Sequence, residues 1–278
     1  MDDAKVNEFT YMTTTVANDV AKTPVALITA GAGGIGRIIA EALIGEGCRV
    51  HVCDIDTGAI ESFLRENPDA TATLADIADT SQVDQVFAEL ADYYERLDVL
   101  VNNAGIAGPT AHVEDIEPGD WDHTIAVNLN GHFYCTRLAV PMLKAGGGGS
   151  IINMASNAAF FGCPMRAPYT ASKWALVGFT KTLAMELGPF GIRVNAICPS
   201  SVEGARIDGV IERDALRRGL STEDVRNMYL RQSSMRSFVT AEDVANLAVF
   251  LASEKSARIS GQALGLDGHT ESLMSWLD

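Results

Sequence analysis

From Thr23 onward, short apolar runs alternate with stretches whose apolar residues recur at helical spacing. The runs 25–30, 49–54, 70–75, 99–102, 150–155, 193–198 and 262–266 read as strands, each followed by a crossover. Val83, Val86, Phe87, Leu90 and Tyr94 lie on one helical face, and Leu138, Val140, Pro141, Met142 and Leu143 close another helix. The four glycines 146–149 read as a flexible surface turn before the next strand. This order predicts one α/β domain over residues 23–278, a doubly wound fold with a seven-stranded parallel sheet flanked by helices. No repeat or linker divides it. Residues 1–22 are polar and aperiodic, and read as an extension that is disordered or packs on a neighbouring subunit.

The first run leads into Thr29-Ala30-Gly31-Ala32-Gly33-Gly34-Ile35-Gly36, which opens directly into the amphipathic stretch 37–45. Glycines let a backbone pass close beneath a pyrophosphate, whose charge then meets a helix N-terminus. Gly31, Gly33 and Gly36 fit the dinucleotide fingerprint of a Rossmann-type fold, although a tight turn alone explains many such matches. Asp54, at the end of the second run, adds context. A carboxylate there accepts hydrogen bonds from adenosine ribose hydroxyls and repels a 2′-phosphate, and neither Gly33 nor Ile55 supplies a cation for that phosphate. The expected cofactor is NAD. The plainer reading of Asp54 is a turn acid at a strand end, helped by Asp56.

Composition narrows the partners. The chain has 278 residues, 47% of them hydrophobic, enough for a sizeable core. Its formal charge of -15 argues against nucleic acid and anionic lipid. The start Met1-Asp2-Asp3 is acidic where an export signal is basic, and no apolar run approaches the roughly 20 residues of a membrane span. Cys48, Cys53, Cys135, Cys163 and Cys198 show neither paired spacing nor a zinc-like cluster, so no metal is expected and the thiols read as reduced ones in a cytoplasmic protein.

Four further segments carry chemistry: Asn102-Asn103-Ala104-Gly105 after the fourth run, Val127-Asn128-Leu129-Asn130-Gly131, Ser156 at the end of the fifth, and Tyr169-Thr170-Ala171-Ser172-Lys173. With the glycine turn they resemble the classical short-chain dehydrogenase/reductase family, in its NAD-dependent form, over nearly all of residues 23 to 270. The resemblance implies that Asn128, Ser156, Tyr169 and Lys173 are catalytic. It implies cofactor contacts from Gly31, Gly34, Ile35 and Gly36 in the turn, where Ala30 replaces the family's first glycine. It adds Asp54 and Ile55, then Asp76 and Ile77 as the pair touching adenine. Asn103, Ala104 and Gly105 follow, with Tyr169 and Lys173 on the nicotinamide ribose. Pro199-Ser200 stands for the family's Pro-Gly turn, and Val202 meets the carboxamide edge. Gly204 stands where a threonine is usual.

Residues four apart share a helix face, so Tyr169 and Lys173 can approach one ribose. Free tyrosine, with a pKa of about 10, is a weak base at neutral pH, and a neighbouring ammonium favours the phenolate. This predicts hydride transfer between a secondary alcohol or ketone and NAD, in the oxidising direction, with Ser156 fixing the substrate oxygen. Asn157 and the loop through Phe160, Phe161, Cys163, Met165 and Arg166 are expected to face the substrate. The segment 203–236 resembles the family's substrate lid. Its arginines read as solvated charges on two helices or, more sharply, as a grip on an anionic substrate through Arg206 or Arg231. The helix bearing Tyr169 carries more apolar surface than one sheet face needs, and the resemblance implies that it packs in a dimer interface of a homotetramer. An NADPH-dependent 3-oxoacyl-type ketoreductase and a catalytically silent nucleotide sensor are the alternatives.

Overall fold

The computed structural model describes residues 23–270, so the extension expected over 1–22, and the end of the domain expected to run to 278, lie outside the described residues. Seven parallel strands form one sheet: β1 (Val25–Thr29), β2 (Arg49–Asp54), β3 (Thr71–Leu74), β4 (Val99–Asn102), β5 (Gly149–Met154), β6 (Ile192–Pro199) and β7 (Ala263–Leu266), in the order β3-β2-β1-β4-β5-β6-β7. Each expected strand is present. β5 begins a residue early, because Gly149 pairs with Ile192, so the glycine run is a turn only up to Gly148.

Crossover helices cover both faces, which is why the central strands are buried at nearly every position rather than at alternate ones. On β1, Val25 and Leu27 pack toward α3 (Thr80–Tyr93), α5 (Gly131–Ala145) and α6 (Ala167–Leu187). Ala26 and Ile28 pack toward α1 (Gly34–Gly45), α2 (Thr57–Glu66) and α9 (Ala241–Ala252). The predicted stripe Val83, Val86, Phe87, Leu90 is the buried face of α3, with Tyr94 just past its end. Helix starts follow side-chain caps that accept orphan backbone N–H groups. Asp56 accepts from Ala59 N, and Asp79 from Ser81 N and Gln82 N. Thr240 and Asp243 form a reciprocal capping box on α9.

Between α4 (Pro118–Ile125) and α5 the helix loosens into a π turn, Ala126–Asn130. The expected pair of helices after β6 is α7 (Ala205–Arg218) and α8 (Thr222–Arg231). They carry a small apolar cluster of their own, Ile207, Ile211, Ala215 and Val225, closed by Tyr229 and Phe238. Arg226 ties this unit together through Glu203 at 3.2 Å and Asp208 at 2.7 Å.

Candidate active site

The chain reverses its order in the sheet between β1 and β4, and a cleft of about 820 Å³ opens at the carboxyl ends of the strands there. Thr29 holds the two strand ends together. Its hydroxyl accepts from the backbone N–H of Asn103 at 2.9 Å and of Ala104 at 3.0 Å. The Asn103 amide donates back to the carbonyls of Thr29 and Ala30. The glycine turn fits beneath this clasp. A Cβ on Gly36 would overlap the carbonyl of Ala30, and one on Gly31 would stand 2.7 Å from Ile28 O. Ala30 itself adopts φ 48, a left-handed conformation that a glycine takes without strain.

On the cleft side the same turn is bare. Nothing lies within 4 Å of a Cβ built on Gly33 or Gly34, α1 has no side-chain cap at Gly33, and its first turn holds no acid. Uncapped N–H groups at a positive helix end suit a phosphate oxygen, so these residues fit a dinucleotide. Asp54 Oδ2 accepts from Ala32 N at 3.2 Å and Oδ1 from Asp56 N at 3.2 Å. The expected turn role of Asp54 is therefore real, and it fixes the carboxylate beside the glycine turn.

Tyr169, Lys173 and Ser156 line the cleft together with Asn157, Pro199 and Val202. Ser156 lies two residues past the end of β5 and caps a 3-10 turn by accepting from Ala158 N at 3.2 Å. Lys173 is buried, donates to Met154 O at 2.8 Å, and stands 5.6 Å from the centre of the Tyr169 ring. Burial, then the charge of Arg206, brings its pKa down to about 7. Asn128 sits behind this group in the π turn. It accepts from Ile106 N at 2.7 Å and donates to Ile106 O at 3.0 Å and Ser172 Oγ at 3.2 Å. A helix of ordinary pitch would turn that amide elsewhere, which gives the π turn its use.

A buried polar row braces the floor. Asn102 Nδ2 donates to Thr136 Oγ1 and to Asn153 Oδ1, and Asn153 Nδ2 donates to Thr180 Oγ1, all within 2.9–3.0 Å. It ties β4 and β5 to α5 and α6, the helix that carries Tyr169 and Lys173.

Of the other expected contacts, Gly34, Ile35, Asn103, Gly105 and Arg206 line the cleft, whereas Gly31, Gly36, Ala104 and Asn128 lie behind its wall. Asp54, Ile55, Asp76 and Ile77 lie outside it, at the ends of β2 and β3. Asp76 Oδ1 accepts from Ala78 N, and Ile77 packs against Gly131. Phe160 and Phe161 do not face the cleft as expected. Phe160 packs on the cluster of Ala155 and Leu176, and the carbonyl of Phe161 accepts from the Trp174 indole. Arg231 is absent from the lining, while Thr110, Asp214 and Gln232, which no sequence signal singled out, belong to it.

A family model described as Enoyl-(Acyl carrier protein) reductase matches residues 30–269. The chain belongs to the short-chain dehydrogenase/reductase family. It is similar to D-beta-hydroxybutyrate dehydrogenase of Rhizobium meliloti (strain 1021), 35% identical over 259 residues, covering 88% of this chain and 98% of the relative. Among solved structures it resembles actinorhodin polyketide ketoreductase with NADPH, with a TM-score of 0.86 and 32% identity over 89% of this chain and 97% of that one. NAD+-bound xylitol dehydrogenase is similar too, with a TM-score of 0.83 and 28% identity over 88% and 98%. This short-chain dehydrogenase/reductase is thus an oxidoreductase acting on CH–OH groups with a nicotinamide cofactor. Among the described residues no group of acids, histidines or cysteines is placed to hold a metal ion, and no helix is long and apolar enough to cross a membrane.

Proposed function

We propose that the chain is an NAD-dependent dehydrogenase that oxidises a secondary alcohol, with Tyr169 as the acid/base. The observation that carries this is the convergence of Ser156, Tyr169 and Lys173 on one cleft at the strand-order reversal, with Asn128 latched behind them. Ser156 hydrogen-bonds the carbinol oxygen and fixes its position. Tyr169 takes the hydroxyl proton as the alcohol becomes a ketone. Lys173, held by Met154 O, presents its amine as a hydrogen-bond donor beside the Tyr169 ring and binds the nicotinamide ribose. Asn128 sets the Ile106 backbone at the rear of the site, on the route by which the proton returns to water. Bound nicotinamide supplies the hydride acceptor.

The preference for NAD rests on Asp54. Arg37 is the cation nearest the glycine turn, and it is committed to Glu41 at 2.7 Å and Glu66 at 2.6 Å. Ile55 is 71% exposed and offers no charge. The cofactor contacts are those set out from the resemblance, Gly31 to Gly36 through Val202, with α7 and α8 as a lid over 203–236 of one domain. The assembly is a cytoplasmic homotetramer, supported by apolar side chains on the outer faces of α5 and α6, where Phe133 is 47%, Trp174 51% and Met185 82% exposed.

Side-by-side titration of the purified protein with NADH and NADPH, followed by Tyr169→Phe, tests the reading. Tight NADH and weak NADPH binding, with turnover lost in the variant and NADH still bound, is the expected result. Tighter NADPH binding would turn the reading to a ketoreductase, and turnover by Tyr169→Phe would overthrow the acid/base assignment.

A further inference from the structure

The substrate end of the cleft holds a guanidinium with no carboxylate partner among the described residues. Arg166 sits at the N-cap of α6, one turn before Tyr169, and its guanidinium carbon lies 5.1 Å from the Tyr169 ring centre. Its Nε is buried and has no hydrogen-bond partner among the described residues, and the side-chain hydrogen bond it makes there, from a terminal nitrogen to Thr110 Oγ1, is long at 3.4 Å. In the same lining, the Nε2 of Gln232 is also buried without a partner among the described residues.

The other cations of the lining are differently placed. Lys173 is held by Met154 O, Arg37 is paired with Glu41 and Glu66, and Arg217 with Asp214. Arg218 adds a second charge on Asp214 Oδ1 at 3.0 Å, so two guanidinium groups offset that carboxylate's charge, while its buried Oδ2 has no hydrogen-bond partner among the described residues. Glu203 is held by Arg226. Arg206 is exposed at the rim. Buried donors without acceptors are rare in folded proteins and mark places where an acceptor arrives. The planar fork of arginine matches a carboxylate in particular. A fork over the tyrosine ring places that carboxylate within a short carbon chain of an oxygen bonded to Tyr169 and Ser156.

Building on the proposed alcohol oxidation, we propose that Arg166 binds substrate and selects secondary alcohols bearing a carboxylate close to the carbinol, with the Gln232 amide as second donor. A neutral alcohol of the same shape leaves both donors buried and unsatisfied, and is discriminated against for that reason. The proposal places the grip on Arg166, where the sequence-based expectation looked to Arg206 or Arg231.

The test compares acetoacetate with methyl acetoacetate, which has the same carbon skeleton without the charge, on the full chain with NADH. Wild type is expected to favour the acid in kcat/KM, and Arg166→Met to reduce that ratio by about 30- to 100-fold, chiefly through KM. Arg166→Lys recovers part of the ratio, and Arg206→Met largely keeps it. Calorimetry of both compounds on the NADH complex reads the same preference as binding if reduction is slow. No preference in wild type, by rate or by binding, would overturn the inference. So would an equal fall in kcat for both compounds in Arg166→Met, which would make Arg166 a positioning residue for Tyr169. Failure to bind either nicotinamide cofactor would instead overthrow the proposed function itself, on a separate readout.

Discussion

The side-chain nitrogen of Lys173 lies 2.8 Å from the carbonyl oxygen of Met154, at the end of β5. The bond anchors the lysine beneath the cleft at the cost of its hydration, and burial lowers its pKa from 10.5 to about 7. Between those values the unfolded chain holds a proton that the folded one has lost, so raising the pH through this window relieves the burial cost and stability rises. Below about 7 the cost is present in full. Buried thiols work the other way above their ordinary value of 9.0, because they stay protonated only in the fold. The clean window is therefore pH 7 to 9. Urea unfolding of the cofactor-free protein is expected to show stability climbing there by up to about 1.4 kcal/mol per pH unit. Lys173→Met should flatten the slope.

Asn128 makes three hydrogen bonds from a fully buried position. Asn128→Ala strands the Ile106 N–H and carbonyl, and is expected to cost about 2–3 kcal/mol in denaturant unfolding. The floor beneath Lys173 then shifts, and kcat should fall by up to about 100-fold while NADH affinity changes little. A drop confined to stability, with kcat intact in the folded fraction, would make Asn128 a purely structural residue.

Gly36 faces the carbonyl of Ala30 with no room for a methyl group. Gly36→Ala must push the β1–α1 turn off the Thr29 clasp, with an expected loss of about 1–3 kcal/mol in thermal or chemical unfolding. NADH titration should weaken in parallel. Gly33→Ala, at a position with open space, should leave stability within about 0.5 kcal/mol of wild type.

Asp54→Asn keeps an oxygen to accept from Ala32 and removes the charge. If the charge excludes the 2′-phosphate, the preference for NADH over NADPH should narrow by about 10- to 100-fold in paired titrations. An unchanged ratio would place the discrimination elsewhere on the turn.

The sheet was legible because strands covered on both faces are rich in aliphatic residues without strict alternation, and each of the seven stood out between polar crossovers. Tyr169, Lys173 and the glycine turn were legible because their spacing is local. What escaped lies in long-range packing. Phe160 and Phe161 looked like pocket walls, but one fills a gap above Leu176 and the other braces Trp174. Gln232 reaches the cleft because α8 ends at Arg231, which turns that arginine to solvent and its neighbour inward. Thr110, far from both in the chain, meets Arg166 only through the fold. Asn128 drew notice by resemblance, and nothing in its own spacing announced a π turn.

The row Thr136, Asn102, Asn153, Thr180 has a further consequence. β4 and β5 are buried on both faces and mostly aliphatic, so their aliphatic side chains alone scarcely penalise sliding one past the other by a residue or two. Four polar side chains that find partners at one alignment, Asn102 opposite Asn153, make every other alignment leave buried amides empty. The row acts as a vernier for the sheet. Because Ser156 and Lys173 take their heights from β5 and α6, it also sets the distance between the two sides of the reaction.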